Sequence, residues 1–227
     1  MLPSRLFTSA GTIGHGTAAD TICAALRDAI MADVLHEGQG LPQSELATGF
    51  GVSIIPVREA LKRLEAEGFV DSLPNRGAMV SSMNEDDILE YSHIRALLEE
   101  QAAAEGVRNM TRVDLAKVED AYEAFVEGAA TSVRSGALNR AFHNTIYDAA
   151  RRPRLSEMIK DLHVRLDRYI RSHLVIEGRK DITDREHRAI LEACRNRDAD
   201  LCARLTRDHI LEAAAISVDV LRQKKRG

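Results

Sequence analysis

Tryptophan is absent from the 227-residue chain and aromatic residues make up only 4% of it. Sheets draw on aromatic and β-branched side chains, so a chain this poor in aromatics and rich in Ala, Leu, Arg and Glu is expected to be mostly helical. Cysteine is nearly absent too. Cys23, Cys194 and Cys202 are odd in number and lack CxxC spacing, which excludes a disulfide framework or a zinc ribbon and points to a reducing cytoplasm. No apolar run approaches the roughly 18 to 20 residues of a membrane-crossing helix. Leu2–Ala10 is interrupted by Pro3, Ser4 and Arg5 before a signal-like core develops, so neither export nor a membrane partner is expected. No P-loop, Rossmann glycine pattern or GxSxG elbow is present, which removes the commonest nucleotide and acyl-transfer chemistries. Nor is there an excess of positive charge: the formal net charge is −4. Phosphate neutralisation needs Lys and Arg only where DNA touches, so any nucleic-acid surface must be a local patch.

What is present is enough to fold. Hydrophobic residues reach 44% and charged residues 29%, the range of a globular chain with a buried core. The length admits two domains. Residues 1–20 are rich in Gly, Thr, Ser and Ala and read as a flexible arm. From Ile22, apolar residues recur at helical spacing through Ala25, Leu26, Ala29, Ile30 and Val34, stopping at Gly38 and Gly40. A short helix over Ser44–Phe50 ends at Gly51, where a left-handed turn suits glycine. Ser53 then reads as an N-cap with Pro56 in the first turn, opening a third helix from Ile54 to Glu67 whose inner stripe is Val57, Ala60, Leu61 and Leu64. Phe69–Val70, the turn Pro74-Asn75-Arg76-Gly77, and Ala78-Met79-Val80 form a hairpin. Three helices followed by a hairpin make a winged helix-turn-helix, placed at residues 21–82.

Beyond Asn84, itself a plausible N-cap, helical patterns succeed one another. They span 85–106, 112–129, 132–150, 154–177, 184–196 and 198–222, with short breaks at Gly106–Thr111, Gly128–Thr131, Arg151–Pro153, Gly178–Thr183 and Asn196–Asp198. Such lengths and connections predict an antiparallel all-helical bundle over residues 84–222.

In a helix-turn-helix the second helix of the pair enters the major groove. Arg58, Lys62 and Arg63 gather charge on one flank of the Ile54–Glu67 helix while Val57, Leu61 and Leu64 face inward. Those cations either grip phosphates or pair with Glu59, Glu65 and Glu67 on a solvated face. The stretch ELATGFGVSIIPVREALKRLEAEGFVDSLPNRGAMV, Glu45 to Val80, resembles the GntR family of transcription regulators without a gap. The resemblance implies DNA contact by Ser53, Ile54, Ile55, Arg58, Lys62, Arg63 and, at the hairpin tip, Arg76. Two positions depart from it: Ile54 stands where the family usually has Arg, and Ser44 where some members do. Ile54 and Ile55 can still meet thymine methyl groups. Residues 1–80 hold six Lys and Arg against nine Asp and Glu, so affinity should rest on a small patch and fall with salt.

Asn139 and His143 lie four residues apart, about 40° around a helix axis, so both can converge on one point. His187 and His209 lie on later helices, and neutral imidazoles suit Zn, Ni, Fe or Cu. Spacing alone leaves open whether these are ligands or ordinary buried histidines. The segments LNRAFHNTI, DREHRAILEACRNRDADLCARLTRDHI and IRALLEEQAAAEG resemble the FCD effector-binding domain of the FadR-type GntR subgroup, over most of residues 85–216. Its metal-binding members use one carboxylate and three His, which fall here on Asn139, His143, His187 and His209, with Asn139 in place of the common Asp. Another departure is RRPRL at 151–155, where the family often has a Gly-Asn turn. Arg95 matches an Arg that meets a ligand carboxylate in such domains; an i,i+4 pair with Glu99 is the alternative.

The function expected from these readings is a non-enzymatic, ligand-responsive regulator, a repressor of operator DNA. It would work as a homodimer on paired half-sites, with a small organic acid as effector and a divalent Zn, Ni or Fe as cofactor. Two other readings remain. One is a metal-dependent bundle enzyme, although no Glu-x-x-His pair surrounds these histidines. The other is a DNA-binding protein whose helical domain only dimerises.

Overall fold

The computed structural model describes residues 2–8, 16–73, 77–128, 132–174 and 179–226. It divides into two compact units, Met1–Met83 and Asn84–Gly227.

In the first unit, helices α1 (Arg5–Thr8) and α2 (Ala18–Met31) are followed by strand β1 (Gly40–Leu41), helices α3 (Gln43–Phe50) and α4 (Ile54–Ala66), and strands β2 (Val70–Leu73) and β3 (Gly77–Val80). Thr17 caps α2 through a reciprocal box with Asp20, satisfying N–H groups at the helix start. Gly51 closes α3 in the left-handed conformation at φ 66°, the turn that lets α4 leave at an angle. The strands form an antiparallel sheet in the order β1-β3-β2, with Val70 opposite Val80 and Leu73 opposite Gly77. Leu26, Leu46, Val57, Leu61, Leu64, Val70 and Val80 meet in one apolar core. This is a winged helix-turn-helix.

Part of the expected arm is built into that core. Leu2 and Leu6 are buried, and Phe7 packs edge-on to Phe50 with ring centroids 5.1 Å apart. Phe7 lies over Gly49, where a Cβ would come within 2.2 Å of its ring. The polar composition of residues 1–20 conceals three apolar side chains: Leu2, which precedes α1, and Leu6 and Phe7, which are consecutive on it. Residues 9–15 of the arm lie outside the described residues, as do Pro74, Asn75 and Arg76. Strand β1 was not expected; it is two residues long and exists by pairing Gly40 with Met79 and Leu41 with Ala78.

The second unit holds α5 (Glu85–Asn109), α6 (Arg112–Gly128), α7 (Ser132–Asp148), α8 (Pro153–Leu174), α9 (Arg179–Arg195) and α10 (Ala199–Arg226). Asn84 and Asp87 cap α5 reciprocally, as the acidic first turn suggests. Helix α5 packs against α7, α8 and α10, while α6 packs on α7 and α9. The helix does not break at Gly106. It runs to Asn109, because glycine there serves packing: a Cβ would sit 2.2 Å from the Ile146 carbonyl of α7. Helix α9 begins five residues before the expected start, and its added turn buries Thr183. Apolar residues such as Phe142, Ile146, Ile159, Ile190 and Leu191 form the core, where Cys194 and Cys202 lie 3.7 Å apart at sulfur as free thiols.

Candidate DNA-binding face and histidine centre

Helix α4 buries Val57, Ala60, Leu61 and Leu64 and turns its other side out. Ser53 sits at the N-cap, but its side chain makes no capping hydrogen bond, so the helix N-terminus keeps open donors suited to a phosphate. Ile54 and Ile55 beside it are 43% and 76% exposed. Arg58 and Lys62 are exposed and make no ion pair with any described residue. Arg63 differs from them. It donates to Asp20 at 2.6 Å and to Glu59, tying α4 to the start of α2. The acid at Asp20, already engaged by Thr17 through backbone and hydroxyl hydrogen bonds, titrates below the usual carboxylate range, with Arg63 adding to the effect. Of the three cations on α4, then, two are left without an ion pair among the described residues.

The interior of the second unit brings His143 of α7, His187 of α9 and His209 of α10 together. Each offers a ring nitrogen, and the three atoms lie within 4.8 Å of one another. All three rings are buried, His187 completely. Two of the nitrogens, His143 Nε2 and His187 Nε2, are 3.2 Å apart. Hydrogen bonding fixes which atom carries each proton. The Tyr147 hydroxyl donates to Glu99 Oε2 at 2.5 Å, so its oxygen accepts from His143 Nδ1 at 3.3 Å and leaves the His143 Nε2 lone pair bare. His209 Nδ1 donates to Glu186 Oε2 at 2.7 Å, freeing its Nε2 likewise. His187 Nε2 must therefore donate to His143, which leaves its Nδ1 a buried acceptor without a partner, as observed. Burial, and then the neighbouring histidines, hold His143 and His187 well below the ordinary imidazole pKa.

These residues fit a divalent cation. Metal–nitrogen bonds of about 2.0–2.1 Å at tetrahedral angles set ligand nitrogens roughly 3.3 Å apart, close to the spacing between His143 and His187. A carboxylate or hydroxyl on the far side of a ligating ring is the usual orienting partner, and Glu186 and Tyr147 supply it. Asn139, one turn before His143, is buried and its Oδ1 has no hydrogen-bond partner. The Thr183 and Thr206 hydroxyls, one turn from His187 and His209 on their own helices, are also buried without partners. Unsatisfied buried polar atoms are uncommon and call for an absent group.

Arg95 makes the pair with Glu99, its Nε 2.6 Å from Oε1. That contact is close but misaligned, so the Arg95 Nε–H keeps unspent hydrogen-bonding capacity. Glu99 also accepts from His163 Nε2 at 2.7 Å. Burial alone would raise the Glu99 carboxyl; Arg95, His163 and Tyr147 outweigh it and hold it at about 2. Sequence reading missed Glu99 as a hub, along with Tyr147, His163, Glu186 and the two threonines. Tyr147, Thr183 and Thr206 lie one helical turn from His143, His187 and His209, and Glu99 one turn from Arg95, so these four carried a helical-spacing signal, whereas His163 carried none.

The comparisons with known proteins agree with this division. The model of bacterial regulatory proteins of the gntR family matches residues 18–80, and the FCD domain model matches residues 90–212. The HTH-type transcriptional regulator McbR of Escherichia coli K12 is 30% identical over 183 residues, covering 78% of this chain and 82% of McbR. The solved structure of E. coli McbR/YncC aligns with a TM-score of 0.70 at 25% identity, over 92% of this chain and 99% of that one. Lar, which controls expression of the Listeria monocytogenes agr system, shares the fold at a TM-score of 0.68 and 18% identity, over 92% of this chain and 100% of that one.

Proposed function

The chain belongs to the gntR family of bacterial regulatory proteins and carries an FCD domain, and from that premise we propose that it is a cytoplasmic repressor whose helical domain senses a small carboxylate through a metal centre. The observation that carries the sensing half is the buried histidine triad with unpartnered polar atoms on the same three helices. Asn139, His143, His187 and His209 would hold Zn, Ni or Fe, and a bound cation would offer a carboxylate oxygen a positive anchor. Glu186 and Tyr147 orient His209 and His143 for that role. Arg95, with its unspent donor, receives the rest of the effector.

On the other unit, Ser53 and the open helix N-terminus hold a phosphate, Ile54 and Ile55 touch bases, and Arg58 and Lys62 grip the backbone. Arg63 positions α4 by its bonds to Asp20 and Glu59. Arg76, in the segment between β2 and β3, is the further cation assigned to the duplex by the family resemblance. The protein acts as a homodimer, matching paired half-sites. Effector binds one form of the protein better than the other and so shifts the population toward lower operator affinity.

The test starts from operator DNA selected out of a random duplex library. Arg58→Ala and Lys62→Ala together are expected to flatten the salt dependence by about 2 in log–log slope, measured by fluorescence anisotropy. Adding Zn²⁺ and a panel of small carboxylates should release the DNA from the native protein but not from His143→Ala. Unchanged DNA binding in the double variant removes α4 from the interface; release from His143→Ala equal to that from the native protein removes the triad from sensing.

A further inference from the structure

Two of the chain's three cysteines meet. Cys194 lies in the last turn of α9 and Cys202 in the first turn of α10. Between them Arg197 takes the left-handed conformation at φ 56°, and the N–H groups of Arg197 and Asp198 donate back to the carbonyls of Cys194 and Ala193. That closure ends α9 and turns α10 back along it. Both side chains are completely buried in the core of the second unit as free thiols, with their sulfurs in contact at 3.7 Å. Among the described residues no third His, Cys, Asp or Glu joins them in a metal-ligating group. What two touching thiols can do together is bond. A disulfide sets the sulfurs about 2.05 Å apart, so each has to move by about 0.8 Å, within reach of rotation about the Cα–Cβ bonds.

We infer that Cys194 and Cys202 are a reversible oxidation site, closed to an intrachain disulfide by hydrogen peroxide and reopened by thiol reductants. The reaction balances with the peroxide as its oxidant. One sulfur attacks a peroxide oxygen, the O–O bond breaks, the thiol proton leaves with the displaced oxygen as water, and a sulfenic acid remains. The second sulfur then displaces the sulfenic oxygen, which departs with the second thiol proton as water while the S–S bond forms. Two thiols have lost two electrons and two protons, and the peroxide has gained them. Location sets the rate. Contact with Cys202, and then burial, raise the pKa of the Cys194 thiol, and the thiolate is the nucleophile, so the closed bundle reacts slowly. Both residues sit at helix ends beside a turn, where local opening costs least. Opening there exposes the two sulfurs together, and the second traps the sulfenic acid before it oxidises further. Once made, the bond ties α9 to α10, the helix that also packs along α5 and α8.

The experiment incubates the folded full-length protein with hydrogen peroxide, alkylates the remaining thiols under denaturing conditions and maps tryptic peptides by mass spectrometry. Cys194 and Cys202 fall on different peptides, Ala189 to Arg195 and Asp198 to Arg204, and these are expected to appear linked, with the loss of two hydrogen atoms. All four tyrosines lie in the second unit, and the thermal midpoint read from their emission should rise by about 5 °C or more. Dithiothreitol should reverse both changes, which separates them from methionine oxidation. Cys202→Ala should show neither. Thiols left reduced under conditions that fully oxidise glutathione overturn the site. So does a link to Cys23 instead, or conversion to sulfinic acid without a link, which would mean that the two sulfurs cannot meet. A linked protein whose midpoint is no higher overturns the tie between α9 and α10. The peptide map of the native protein decides the matter even where Cys202→Ala fails to fold.

Discussion

Among the described residues of the first unit, Ser81 is the one buried polar side chain, whereas the second unit buries Arg95, Glu99, Asn139, His143, His163, His187 and His209 in its interior. The same chain has solved two problems in opposite ways. On the function proposed above, the first unit reads DNA with the outside of α4, so its interior can be given wholly to apolar contacts, each buried large side chain adding about 1.5–3 kcal/mol. On the same proposal, the second unit must admit a ligand among its helices, so polar groups occupy positions that packing alone would fill with Leu or Ile. Buried charge of that kind stabilises little and becomes costly when a partner is removed. The contrast teaches where each unit is fragile: the first where volume changes, the second where charge does.

The hardest blow to that contrast is expected from Glu99→Gln. The amide keeps the size of the carboxyl but leaves the Arg95 guanidinium, 7% exposed at the side chain, without its counter-ion. Breaking a buried pair in this way costs about 3–5 kcal/mol. Tyr91, Tyr122, Tyr147 and Tyr169 all lie in the second unit and tryptophan is absent, so tyrosine emission during urea unfolding reports that unit alone. Amide exchange in α2 and α4 should be unchanged. A loss under 1 kcal/mol would mean the interior tolerates a lone charge, and the distinction between the units would fall.

A smaller effect follows from acid on the chelator-treated protein. Burial holds His143, His187 and His163 below the ordinary imidazole pKa. The unfolded chain therefore takes up protons first as pH falls through about 6.5. The stability these rings contribute is complete above that pH and declines below it, by up to about 1.4 kcal/mol per pH unit per ring until each folded-state pKa is reached. Glu99, held at about 2 against an ordinary 4.5, extends the loss at lower pH. Between pH 7.5 and 5 the tyrosine-detected midpoint should drop while exchange in α2 and α4 hardly moves, the first unit having no buried histidine among its described residues. Equal acid sensitivity in both units would contradict the account.

The apolar half of this contrast was legible in the sequence, and the polar half only partly. The inner stripe Val57, Ala60, Leu61 and Leu64 follows from period alone and is buried as read. The bundle helices were readable for the same reason, with errors at Gly106 and before Asp184, where glycine and polar residues serve packing and a buried turn rather than breaks. The pair Arg95 and Glu99 is local and could be read as i,i+4. Its partner His163 is 64 residues away from Glu99, and Asp20 is 43 residues from Arg63. No period connects such residues, because buried networks are assembled by tertiary contact. The docking of Leu2 and Leu6 was hidden by the composition around them.

The mildest substitution probes the outer face itself. Ile54→Arg places a cation at the exposed start of α4, where the resembling family usually carries one, on a side chain 43% exposed and outside the apolar core. Stability should change by no more than about 0.5 kcal/mol, since no cavity opens and no buried partner is lost. Operator binding should become steeper in salt by about 0.9 in log–log slope, the release of one further counter-ion. Tyrosine-detected unfolding and Zn²⁺ binding belong to the other unit and should stay as they are. A shift in either would show that the surface of α4 and the polar interior are not independent, and an unaltered salt slope would place the N-terminus of α4 away from the duplex.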